Sequence, residues 1–209
     1  MELYNRLFSR YPDLRDCAES IQSAYLVLET CYAQGGKVMI CGNGGSAADS
    51  EHISGELLKG FYLKRPVTAE FEQKLARIYP EEAEYLTSHL QGALPAISLV
   101  SQVSFITAFA NDVAADMIFA QQVFAYGQPG DVLVALSTSG NARNVAHAVR
   151  VAKAKEVRTV SLTGKTGGLL GPLSDVTIRV GWELTPDIQE RHQAIYHTLC
   201  AMLEGRFFS

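Results

Sequence analysis

The chain has 209 residues, of which 47% are hydrophobic and 19% charged, and a formal net charge of −4. This is the composition of one soluble globular domain long enough to bury a substantial core. The acidic balance, without any Lys/Arg-rich block, argues against nucleic acid as a partner. No apolar run approaches the roughly 18 residues of a membrane span, and the start, MELYNRLFSR, has no signal-peptide core, so the expectation is a cytoplasmic protein with no membrane partner. Cys17, Cys31, Cys41 and Cys200 are far apart and form no CxxC pair, which suits small core residues better than disulfides or a zinc finger.

From Asp13 to Ala33, apolar residues recur at three- and four-residue steps, predicting an amphipathic helix that Gly35 and Gly36 end. Val38 to Cys41 is a short apolar strand. It breaks at Gly42 and runs through Asn43, Gly44, Gly45 and Ser46 into a helix that carries His52 and Glu56 and should end near Gly60. Between Phe61 and Leu94 the chain turns polar and is punctuated by Pro66 and Pro80. TAEFEQKLARI and PEEAEYLTSHL are each long enough for a short helix, so 61–94 has the character of an insertion.

Pro95 introduces a second strand, Ala96 to Val100. Helical patterns follow over about Ser101–Ala110 and Asp116–Tyr126, interrupted at Asn111 and Asp112. A third strand, Val132 to Leu136, enters Ser137, Thr138, Ser139, Gly140 and Asn141, and a helix is predicted from about Ala142 to Lys155. Val157–Leu162 and Val176–Val180 are the remaining strands, and a last helix covers about Asp187–Glu204 with Gly205 as its stop. Strands that are apolar throughout, alternating with helices, predict a parallel sheet covered on both faces. The right-handed crossover rule makes it a doubly wound α/β sandwich with ligands at the carboxyl ends of the strands.

Both small-residue turns fall there. A glycine turn at a helix start leaves backbone N–H groups at the positive end of the helix dipole, which suits an anion. Together the two turns supply hydroxyls and amides with almost no positive charge, a combination fitted to a phosphate monoester. Gly42, Gly44 and Ala47 formally satisfy a dinucleotide fingerprint, but the second strand ends in Ser98, Leu99, Val100 and Ser101 with no carboxylate for a ribose, so no nucleotide cofactor is expected. Gly164-Lys165-Thr166 fails as a phosphate loop because Thr159 stands where its first glycine would be.

His52 and Glu56 share one helical face at i, i+4, a spacing open to a metal or an acid–base pair. Gln189 and His197 on the last helix are eight residues apart, about 12 Å along the axis, so both reach one centre only by converging or by coming from different subunits. His89 and His147 are assigned to surface or satisfied positions, and His192 to a solvated face.

CGNGGS, then HxxxE, ND, STSGN, LTGK and IQExHxxxxH, in that order over nearly the whole chain, resemble the sugar isomerase (SIS) domain and, within it, the phosphoheptose isomerases. The resemblance implies a three-layer αβα sandwich with a five-stranded parallel sheet, assembled as a homotetramer with active sites between subunits. It implies isomerisation of sedoheptulose 7-phosphate to D-glycero-D-manno-heptose 7-phosphate. Carried over by motif, Ser46, Ser137, Thr138 and Ser139, with the backbone of Gly44 and Gly45, hold the phosphate, while Asn43, Asp112, Thr185 and Gln189 contact substrate. His52, Glu56, Gln189 and His197 form a zinc and acid–base cluster, with Glu56 as base and His197 as acid. The chain departs from the family pattern at Ala142, where a serine is usual, at Thr185-Pro186-Asp187, and in the length of 61–94. The alternative is a non-catalytic SIS protein that binds a phosphosugar or docks onto a partner, as the replication-initiator-associating branch does. A binding module has no need of His52, Glu56, Gln189 and His197 together.

Overall fold

The computed structural model describes residues 2–209. Five parallel strands, β1 (Val38–Cys41), β2 (Ala96–Ser98), β3 (Val132–Ser137), β4 (Arg158–Thr163) and β5 (Val176–Arg179), lie in the order β2-β1-β3-β4-β5. The chain runs from β1 out to the edge at β2 and returns to β3 on the other side of β1, so the winding reverses between β1 and β3. Ligands in such sheets bind outside the carboxyl ends of the strands at that reversal.

Successive strand residues point to opposite faces. Val38, Ile40, Val132, Val134 and Leu136 pack with α1 (Glu2–Arg10), α2 (Ala18–Ala33), α3 (Gly45–Leu58) and α10 (Thr185–Phe208). Met39, Cys41, Leu133 and Ala135 pack on the other side with α7 (Ile118–Tyr126), α8 (Arg143–Ala154) and the short α9 (Leu170–Leu173). Both faces being covered, β1 and β3 are buried along their whole length, which is why neither alternates in polarity. The helix after β1 therefore goes to one face and the helix after β3 to the other, and their N-termini flank the same crevice.

The last helix is longer than expected. It starts at Thr185 with Pro186 in its first turn, where a missing N–H costs nothing, and it runs through Gly205 to Phe208. Gly205 does not stop it because Phe207 and Phe208 pack against the core beyond.

The 61–94 stretch proves to be two different things. Its middle forms an exposed helical pair, α4 (Ala69–Ile78), capped by the Thr68 hydroxyl, and α5 (Ala83–His89). Its ends belong to the core: Arg65 and Leu94 are buried, and Gly92 N–H donates to the Arg65 carbonyl.

Asn111 and Asp112 fall, as the sequence predicts, in the interruption between two α-helices. The 24 residues from Val103 to Tyr126 comprise α6 (Val103–Phe109), a π-helical turn at Ala110–Ala114 that ends on extended backbone at Ala114, a 3-10 turn at Ala115–Met117 and α7. Contrary to the sequence expectation, this stretch is long and apolar enough to cross a membrane by length and composition. Asp112 and Asp116 interrupt it at mid-length, however, and Phe119, Ala120 and Val123 are buried in the second core. Val103, Val113 and Phe124 stay exposed on the single chain.

Candidate active site

Where β1 ends, Gly44 takes φ +56 and Gly45 opens α3. That backbone conformation is one a side chain rarely adopts, so the turn needs glycine. Gly45 answers a second demand, because a Cβ there would collide with the side-chain amide of Gln189 from α10. Where β3 ends, Ser137, Thr138 and Ser139 face this turn across the crevice. Together with Asn43, Gly44, Gly45, Ser46, Ala142, Thr185 and Gln189 they line a cavity of about 330 Å³. None of the lining residues is cationic, so an anion here meets hydroxyls, amides and the first turns of α3 and α8.

Asn43 lines this cavity, but its amide is committed. It exchanges two hydrogen bonds of 2.9 Å with the amide of Asn144, one in each direction, tying the β1 turn to the first turn of α8. Asn144 carries no motif signal and the sequence reading missed it.

Further along α3 and α10, on one face of the sheet, His52 Nε2 lies 3.3 Å from Glu56 Oε1 and 3.4 Å from His197 Nε2. The second Glu56 oxygen is 3.4 Å from Lys59 Nζ. Glu56 is largely buried, whereas His52 is exposed and His197 half-buried. Burial holds the His197 imidazole below the usual histidine range, and neighbouring His52 adds to this while Glu56 opposes it. Phe61 stacks obliquely on the His197 ring at 5.5 Å, and His197 also faces a second cavity of about 300 Å³ between α1 and α10.

Bonds of about 2.0–2.1 Å to a tetrahedral zinc ion put ligand atoms about 3.3–3.4 Å apart. The two measured separations match that edge, and two imidazoles with one carboxylate are donors that zinc accepts. Two imidazole Nε2 atoms facing each other are also an arrangement that asks for a shared proton or cation between them. Among the described residues no three His, Cys, Asp or Glu side chains are already closed around a metal-sized point. The donor set is two pairwise contacts open on one side.

Gln189 is not brought to this cluster by its own chain; it packs on Gly45 in the cradle, two turns of α10 from His197. Asp112 lies exposed on the π-helical turn, where Asn111 Nδ2 donates to it at 2.8 Å, and it is not among the cradle residues. His192 is corrected outright. It is wholly buried rather than solvated, with Nε2 3.2 Å from the Thr163 carbonyl, because α10 is packed by α1, α2, α3 and β4 and has little face left for solvent. The cysteines are all free and buried, and burial pushes the Cys41 and Cys200 thiols up to about 12, so neither is a nucleophile at neutral pH.

The sequence pattern of the SIS domain matches residues 13–84 and 86–164. The chain is 42% identical over 196 residues to a phosphoheptose isomerase of Rhodospirillum rubrum, covering 94% of this chain and 90% of that protein. It is 40% identical to one of Shewanella denitrificans, covering 91% and 85%. Among solved structures, a phosphoheptose isomerase from Francisella tularensis superposes with a TM-score of 0.75 at 30% identity over 98% of this chain and 97% of that one. The phosphoheptose isomerase from Neisseria gonorrhoeae gives 0.72 at 29% identity over 96% and 98%. Glycine turn, hydroxyl turn and the His52–Glu56–His197 group thus stand in a chain similar to these isomerases from end to end, and the chain belongs to the SIS domain family, in its phosphoheptose isomerase branch.

Proposed function

We propose that the protein interconverts sedoheptulose 7-phosphate and D-glycero-D-manno-heptose 7-phosphate. The observation that carries this reading is a neutral, hydroxyl-lined anion cradle at the β1/β3 crevice with a histidine–carboxylate group on α3 and α10 beside it. Ser46, Ser137, Thr138 and Ser139 bind the phosphate, with backbone N–H groups of Gly44 and Gly45 at the start of α3. Gln189, Thr185 and Asn43 line the path of the sugar chain, and Asp112 reaches substrate from a neighbouring subunit.

Glu56 removes a proton from C1 of the ketose while the C2 carbonyl oxygen takes a proton from His197, giving a cis-enediol. In the second half the O1 proton leaves to His197 and Glu56 returns a proton to C2, giving the aldose. The carboxylate is suited to the carbon acid and the imidazole to the oxygens. His52, Glu56 and His197, with Gln189 of another subunit, would hold a zinc ion, which when bound would supply electrophilic polarisation of the sugar oxygens. The protein works in the cytoplasm as a homotetramer. Exposed Val103, Val113 and Phe124 support self-association, as does the open side of the donor set.

The experiment is turnover of sedoheptulose 7-phosphate by the wild type and by Glu56→Gln, which keeps shape but loses basicity. A positioned base is worth about 10²–10⁴ in rate. A fall of that order with phosphosugar binding retained supports the reading. Wild-type protein that binds the phosphosugar with zinc supplied but never isomerises it transfers the chain to the non-catalytic alternative.

A further inference from the structure

Behind His52 lies a pair that neither the motifs nor the proposed mechanism uses. Tyr196, next to His197 on α10 and only 3% exposed, donates its hydroxyl to Asp49 Oδ1 at 3.1 Å, and that Tyr196 hydroxyl oxygen is also 3.1 Å from His52 Nδ1. Asp49 stands one turn before His52 on α3, and its other oxygen, Oδ2, is buried without a partner among the described residues, so Tyr196 is the hydrogen-bonding contact of this carboxylate there.

The direction of these bonds carries information. A phenol has one proton to give, and a carboxylate can only accept. With the Tyr196 proton on Asp49, the phenol oxygen is left as an acceptor toward His52, which must then carry its proton on Nδ1. Nε2 of His52 is thereby left bare, and Nε2 is the atom that faces Glu56 Oε1 and His197 Nε2. A ligating imidazole is oriented by the hydrogen bond made by its other nitrogen.

We propose that Tyr196, directed by Asp49, is a positioning residue that locks His52 in the Nδ1–H tautomer and presents its Nε2 lone pair to the cation site. The proposal rests on the donor set assigned above to His52, Glu56 and His197. It adds a helix-to-helix relay, from Asp49 on α3 through Tyr196 on α10 and back to His52 on α3, that couples the tautomer of one ligand to the packing of the helix carrying another.

Two variants separate this role from simple packing. Tyr196→Phe keeps the ring that meets the His52 imidazole edge-on at 5.6 Å and removes only the hydroxyl. Asp49→Ala leaves the hydroxyl but takes away its acceptor, so its proton turns to His52 Nδ1 and the ring should switch to the Nε2–H form. The first readout is long-range ¹H–¹⁵N spectroscopy of the histidines in metal-free protein: Nδ1–H for His52 in the wild type, a mixture in Tyr196→Phe, and Nε2–H in Asp49→Ala. The second is zinc affinity by chelator competition, expected to fall about 10- to 100-fold in both variants, with inorganic phosphate binding in the cradle unchanged. An Nε2–H His52 in the wild type, or a wild-type tautomer in both variants, overturns the proposal. Wild-type protein that binds no zinc removes the cofactor reading instead, and the tautomer spectra still decide the relay.

Discussion

Arg65 and Glu204 form an ion pair of 2.8 Å whose side chains are 0% and 1% exposed, and the pair joins the end of α3 to the end of α10. The Arg65 guanidinium donates to the carbonyls of Leu57 and Glu56, in the last turn of α3 where carbonyls lack helical partners, and stacks 4.8 Å from the Phe208 ring. Glu204 accepts the N–H groups of Phe61, Tyr62 and Leu63. The backbone carbonyl of the proposed base is thus held by a cation anchored on the helix that carries the proposed acid.

Breaking a buried pair on one side strands a charge and costs about 3–5 kcal/mol. Arg65→Met and Glu204→Gln should each lower stability by that order in chemical denaturation, and activity should fall before unfolding as the end of α3 loosens. Burial alone would push the Glu204 carboxyl up, but the N–H groups of Phe61 and Tyr62 and the Arg65 charge hold it below the usual glutamate range. The sign follows: this stabilisation is complete above the ordinary carboxylate range and is lost as pH falls through the depressed value. Glu204→Gln should remove that part of the acid sensitivity.

Ala142 occupies the N-cap of α8 without a side-chain cap and also lines the anion cradle. Ala142→Ser should tighten inorganic phosphate binding and lower KM more than it changes kcat. Its capping gain should be near the lower end of about 0.5–2 kcal/mol, since the Val145 N–H is already taken by the Asn144 side chain at 3.0 Å. Phosphate titration and thermal melts of the same sample read both effects.

His192 is neutral in the fold, burial lowering its pKa to about 4 while the Thr163 carbonyl opposes the shift. The unfolded chain takes up this proton near the ordinary value of about 6.5, so stability should fall as pH drops from about 6.5 towards 4 and level off below, by an amount on the order of 3 kcal/mol. His192→Gln keeps a donor for Thr163 and should flatten that limb, as measured by urea midpoints across the range.

Excising 67–90, which contains α4 and α5, spares Arg65, Gly92 and Leu94. The remaining domain should fold and keep phosphate binding. Ile78, Tyr79 and Tyr85 are exposed on the removed pair and suit a subunit contact, so the oligomeric mass in light scattering should fall. Removing 61–94 entire should instead prevent folding, because Arg65 goes with it.

What local pattern determines was legible in the chain. The apolar runs of β1 and β3, the glycine and hydroxyl turns after them, and His52 with Glu56 one helical turn apart all follow from residues within a few positions of each other, where helix and strand periods act. The order of motifs along the chain was enough to resemble the right family. Tertiary structure alone decided what joins distant segments. The strand order sets the two turns beside each other. Asn43 is claimed by Asn144, 101 positions away, and Arg65 by Glu204, 139 positions away. On helix α10 the sequence marks Gln189 and His197 for the site and leaves His192 to a solvated face. Packed by α1, α2, α3 and β4, the helix instead buries His192 against a strand carbonyl, Glu204 against a guanidinium and Tyr196 between Asp49 and His52. A buried polar side chain is recognisable only from its partner, and each of these partners comes from a segment that periodicity does not connect to it.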